Sequence, residues 1–208
     1  VDAQGRRLQW GWLREGRSRE ACEEAGWAGV MSLPRVLTLL PDGHLSAQPA
    51  PELQALRRRS VWLGPRPLAG WVPLDGLPGD GLELQMTIAL GSAEGIELIV
   101  RRSPGGEEET RFIYDRNAGT LRCDRSRASL SPHQDCTPYE GRYPVAGDRI
   151  TWRLFLDASV VELYADGLTC LTTRIYPERP DSLGLALATI GGEARLESLE
   201  VWEMASIW

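Results

Sequence analysis

The stretch LFLDASVVELYADG, residues 154–167, carries the pattern from which the fold can be read. Leu154 and Leu156 stand at alternate positions, Asp157-Ala158 can turn, Val161 and Leu163 alternate again, and Asp166-Gly167 offers a second turn. Alternation with period two marks a half-buried strand, and Asp-Gly is a preferred two-residue hairpin turn because both residues tolerate positive φ. The stretch therefore predicts an antiparallel hairpin with four apolar side chains on one face and Glu162 on the other. Asp157 falls at a turn, where aspartate bonds its own backbone. Asp157 and Glu162 need not converge, so this carboxylate pair reads as structural and not catalytic.

The same signature recurs on both sides. Short strands are expected at SVWLG (60–64), GLELQMTIAL (81–90), GIELIVRRS (95–103), ETRFIYDRN (109–117) and GTLRCDR (119–125). Others are expected at RITWRLFLD (149–157), SVVELYAD (159–166), LTCLTTRIY (168–176), SLGLALAT (182–189) and EARLESLEVWEM (193–204). Turn signals separate them at Pro104-Gly105-Gly106, Asn117-Ala118-Gly119, Gly147-Asp148 and Gly191-Gly192. Many short strands with almost no helix predict an all-β chain ending in an antiparallel β-sandwich over 60–208. Upstream, PAPELQALRRR (49–59) is the expected helix, with proline at its start, Glu52 in the first turn and arginines at its end. Residues 6–13, 29–40 and 45–48 read as extended, with a Pro41-Asp42-Gly43 turn, and the charged run 14–24 has no clear helical face. The expected parts are thus 1–48, a linker helix 49–59 and the sandwich 60–208. The first part is too short to bury a core alone, so it is expected to lean on chain that the sequence lacks.

Composition narrows the function classes. Of 208 residues, 42% are hydrophobic and 25% charged, the profile of a soluble globular protein. No apolar run approaches the ~20 residues of a membrane span, so no membrane partner is expected. The net charge is −6, and all 23 basic residues are arginine, as a GC-rich coding composition would produce. Arg57-Arg58-Arg59 and the arginines of 122–127 form no basic stripe, so nucleic acid is not an expected partner. Cys22, Cys123, Cys136 and Cys170 lack C-x-x-C spacing and lie far from His44 and His133, which read as loop residues. No metal and no cofactor is expected; a Cys123–Cys136 disulfide is an alternative to buried free thiols. Residues 1–16 are charged and unlike a leader peptide. A cytoplasmic location is expected over a secreted one, although a chain opening on Val1 can have lost its original start.

Four motifs in order carry a resemblance: GRRLQWGWLRE (5–15), GWAGVMSLPR (26–35), PELQALR (51–57) and FLDASVVELYADG (155–167). Together they resemble the C-terminal part of glycoside hydrolase family 32, the family of invertases, levanases, inulinases and sucrose-6-phosphate hydrolases. LESLEVWEMASIW (196–208) resembles its closing strand. The resemblance implies that 1–48 is a remnant of the last blade of a five-bladed β-propeller, followed by the linker and the sandwich. It implies retaining hydrolysis of β-fructosides by an aspartate nucleophile and a glutamate acid/base. The motifs that would carry these groups, similar to Asn-Asp-Pro-Asn-Gly, Glu-Cys and Arg-Asp-Pro, do not occur in the sequence. No catalytic residue is therefore assigned, and the chain alone is expected to be inactive, a truncation and not a diverged site.

The resemblance also sets expectations for partners. They are the missing N-terminal propeller of the same protein, β-fructoside sugars, and a homo-oligomeric copy through the sandwich. Trp12 and Glu15 are the candidate sugar contacts, since an indole can stack on a sugar face and a carboxylate can accept hydroxyl hydrogen bonds. The competing reading packs Trp10 and Trp12 between blades and leaves Glu15 in a solvated loop. Val30 and Leu33 are expected to pack against absent blades, with Arg35 leading the chain toward the sandwich. Trp62, Trp71, Trp152 and Trp202 read as core or edge packing, and Glu107-Glu108-Glu109 as a solvated loop. An alternative function is an independent carbohydrate-binding β-sandwich module, which would have no use for the segment 5–35.

Overall fold

The computed structural model describes residues 1–77 and 79–206. The N-terminal part contains β1 (Arg7–Gln9), β2 (Trp12–Leu13), α1 (Arg19–Ala25), β3 (Val30–Met31), β4 (Arg35–Leu39) and β5 (Leu45–Pro49). β1, β4 and β5 form a three-stranded antiparallel sheet, and β2 pairs with β3. The run 6–13 is thus two strands broken at Trp10-Gly11. α1 occupies the charged run in which the sequence suggested no helix. Its ends are well specified: the Ser18 hydroxyl accepts from the Ala21 N–H, and Gly26 closes the helix at φ 75°.

A 3-10 helix, Pro51–Leu56, leads into the sandwich strands β6 (Arg57–Leu63), β7 (Arg66–Pro73), β8 (Gly81–Ala89), β9 (Gly95–Arg102) and β10 (Glu109–Asp115). They continue as β11 (Thr120–Arg127), β12 (Tyr139–Arg142), β13 (Arg149–Asp157), β14 (Val160–Ala165), β15 (Thr169–Arg174) and β16 (Gly184–Met204). The linker helix expected over 49–59 is therefore shorter. Arg57, Arg58 and Arg59 join β6, because the backbone there pairs with β16 and Arg57 reaches the buried Glu83. β7 and β12 were not anticipated. Pro67 and Pro73 disguise β7, but among the described residues it pairs with β16 alone, an edge position that tolerates proline. The four exposed or half-exposed residues of β12 show no alternation.

The two layers arise from one strand that changes partners. β16 runs beside β9 from Gly184 to Ile190, then beside β8 from Arg195 to Glu203, with β7 following along its other side. One layer is β12-β11-β10-β9 with the first half of β16; the other is the second half of β16 with β8-β13-β14-β15. Gly191 and Gly192, expected as a turn between two strands, instead bend one 21-residue strand. They adopt φ of 54° and 60°, and a Cβ on Gly192 would lie 2.3 Å from the Ser92 carbonyl oxygen. Only glycine fits that bend.

The hairpin of 154–167 forms, but its turn falls at Ala158-Ser159, one residue beyond the expected Asp157-Ala158, so Asp157 closes β13. Leu154 stands opposite Leu163 and Leu156 opposite Val161. All four enter a core with Leu84, Leu98, Phe112, Trp152 and Val201. Trp152 is the fully buried member of the four expected packing tryptophans, whereas Trp62 and Trp71 are exposed and Trp202 lies under the Arg57 guanidinium, 3.6 Å from its ring centre. The acidic run is not a solvated loop. Glu108 and Glu109 are buried, Glu109 among Arg102, Arg111 and Arg127. The four cysteines are free thiols, Cys123 fully buried. The closing strand reaches Met204; Ile207 and Trp208, expected to extend it, lie outside the described residues.

No leucine, valine, methionine or tryptophan before Pro49 is fully buried. A small second core instead joins the two parts: Leu53, Phe155 and Tyr164, with Leu33, Leu56, Cys170 and Met204 packed on it. Leu33 thus packs on the sandwich, and Val30 borders a small cavity with Phe155 and Val160. The outer face of β13 and β14 supplies Leu33 with apolar cover through Phe155 and Tyr164.

Candidate functional site

The junction between residues 1–49 and the sandwich gathers a set of buried and half-buried polar side chains. β14 places Glu162 on the outer face of its layer, as alternation requires, yet the carboxylate is fully buried because Leu33 to Arg35 lie over it. The Leu33 N–H donates to Oε1 at 2.6 Å, and Arg35 Nη2 donates to Oε2 at 2.5 Å. The Tyr164 hydroxyl also donates to Oε2, at 2.9 Å. Arg35 further donates to the Tyr164 and Thr172 hydroxyls. A buried carboxylate is tolerable only with such partners, and here they come from both parts of the chain. Asp157 and Glu162 do border one cavity, with Val30, Met31, Leu33 and Phe155, but its volume of about 40 Å³ has room for roughly one water. Glu162 serves packing.

A second cluster lies at the other end of β2 and β3. Glu15 accepts from the Arg17 guanidinium at 3.1 and 2.8 Å, from the Gly29 N–H at 3.2 Å, and from the Tyr176 hydroxyl. Burial alone would raise the pKa of Glu15. The bonds from Arg17, Tyr176 and Gly29 outweigh it and hold the carboxyl well below the usual range. Burial, with Glu15 beside it, pushes the Tyr176 phenol up to about 12. Arg17 and Arg174 stack with the rings of Trp27 and Tyr176, with cation-to-centroid distances of 4.3 to 5.3 Å.

Trp12 lies on β2 and is 63% exposed. Gly29 makes that placement possible, since a Cβ there would stand 2.3 Å from Trp12 Cζ2, and the backbone is at φ 70°. Gly29 therefore links the two expected sugar contacts, touching the Trp12 ring and donating to Glu15. Both Glu15 oxygens are occupied by protein donors, and Trp12 presents a free face. Arg17, Trp27, Arg35, Glu162 and Tyr176 were not singled out as parts of one site. Their signal was weak: outward positions on short strands look solvated until a second segment covers them.

Comparison with known proteins gives the same two parts. The model for glycosyl hydrolases family 32, N-terminal domain, matches residues 1–49, and the model for the C-terminal domain matches residues 52–203. Sucrose-6-phosphate hydrolase of Escherichia coli is 28% identical over 98% of this chain and 41% of its own length. Raffinose invertase of Escherichia coli is 31% identical over 95% of this chain and 40% of its own. The chain thus spans about two fifths of these curated relatives. Fructan 1-exohydrolase IIa of Cichorium intybus superposes with a TM-score of 0.86 at 22% identity, over 99% of this chain and 47% of that one.

Proposed function

Because the chain belongs to glycosyl hydrolases family 32, we propose that it is the C-terminal part of a β-fructosidase-type glycoside hydrolase whose catalytic carboxylates lie elsewhere. In this reading, the strands up to Pro49 belong to the last propeller blade, the short 3-10 helix Pro51–Leu56 is the connection, and the strands from Arg57 onward are the sandwich that braces the blade. The observation that carries it is the order of the two family domains in a sequence with none of the three carboxylate motifs. The exposed side chains of Trp10, Met31, Leu39 and Leu45 support it too, as apolar positions suited to a neighbouring blade.

Retaining hydrolysis of a fructoside needs two carboxylates, one to attack the anomeric carbon and one to protonate the leaving oxygen and then activate water. This chain's part is to hold its blade strands in place. Trp12 offers an indole face to the sugar, and Glu15, fixed by Arg17 and Tyr176, orders the strand beneath it. The test is a calorimetric titration of the chain with sucrose, inulin and levan. Heats at the level of dilution agree with a bracing role, whereas micromolar affinity would favour a free-standing carbohydrate-binding module.

A further inference from the structure

We infer that Glu162 and Tyr176 are positioning residues through which the sandwich sets the place of the β2–β3 pair and the Trp12 ring it carries. The inference deepens the reading above, in which Trp12 faces the sugar. The path from Glu162 is continuous. Its Oε1 holds the Leu33 N–H at 2.6 Å. Next to Leu33, buried Ser32 bonds Gly11 twice: its Oγ accepts the Gly11 N–H at 2.8 Å, and its own N–H donates to the Gly11 carbonyl at 2.7 Å. Met31 then pairs with Trp12. Two hydrogen-bonded links thus separate a sandwich carboxylate from the tryptophan.

From the other end, the Tyr176 hydroxyl donates to Glu15, and Glu15 holds the Gly29 N–H. Gly29 lies directly against the Trp12 ring. Arg174 on β15 stacks on both Trp27 and Tyr176 and stiffens this second clamp. A two-stranded pair of two residues each has little stability of its own. The two clamps grip it at both ends, and both belong to the sandwich. Its geometry is therefore set from outside the blade.

The test uses the 208-residue chain labelled with 5-fluorotryptophan, the Trp12 resonance being assigned by Trp12→Phe. Glu162→Gln and Tyr176→Phe are each expected to move the Trp12 fluorine signal while leaving that of core Trp152 in place. Amide exchange should quicken about tenfold at Gly11, Ser32 and Leu33 in Glu162→Gln, and at Gly29 in Tyr176→Phe. The strands β8 and β13 should keep their protection in both. An unmoved Trp12 signal in the folded variants, or exchange that rises evenly over the whole chain, would overturn the proposal. Tyr176→Phe removes one half-buried hydroxyl and decides the matter alone if Glu162→Gln does not fold. Neither readout involves a fructoside, so a parent enzyme without fructosidase activity would leave this result standing.

Discussion

Glu108 is a fully buried carboxylate bonded by four uncharged donors: the N–H groups of Leu130, Glu178 and Arg179 at 3.0, 2.8 and 3.1 Å, and the Ser182 hydroxyl at 2.7 Å. Burial opposes its ionisation, but the donors prevail and its pKa is lowered. A carboxyl with a depressed folded pKa adds stability above its unfolded value near 4.3, and that stability is lost as pH falls through the folded value. Glu108→Gln, which cannot titrate, is expected to cost about 1–3 kcal/mol at pH 7. Its urea midpoint should also depend less on pH below ~4.3 than that of the parent chain. Parallel pH profiles would contradict this role. Glu108 and Glu162 mark what single residues disclose. Alternation correctly put Glu162 on the outer face. A triple-glutamate run after Pro-Gly-Gly gave no sign that its second and third members are buried, and the groups that bond the Glu108 carboxylate come from 22 to 74 residues away in sequence.

Elements were legible where hydrophobic periodicity matched a local turn, as in β13 and β14. They were missed where local chemistry misled. α1 has no apolar face, and none of its residues is buried, so its Ser18 and Gly26 caps were the readable signal. Ser18→Ala should lower local helix stability by about 1 kcal/mol, seen as faster amide exchange confined to Arg19–Ala25. β16 was read as two strands because Gly191-Gly192 resembles a turn, and only the passage between layers gives the pair its meaning. Gly192→Ala is expected to destabilise the fold by about 1–3 kcal/mol through a positive φ and the approach to the Ser92 carbonyl. Thermal unfolding measures it, and an unchanged midpoint would mean the bend relaxes freely.

On the scale of the whole molecule, the N-terminal strands and the sandwich share a core of Leu33, Leu53, Phe155 and Tyr164 and a buried ion pair between Arg35 and Glu162. Arg35→Ala leaves Glu162 without its cation and should cost about 3–5 kcal/mol, measured as a lower denaturant midpoint. This joint was the least legible feature, since neither segment's own pattern names the other as its cover. The four ordered motifs pointed to the family, and the missing carboxylate motifs pointed to the division of labour. The most direct measurement of that division is fructose release from sucrose, inulin and levan by the purified 208-residue chain. Release at the level of a protein-free blank is the predicted result. Fructose clearly above that blank would place catalytic groups within this chain and contradict the account.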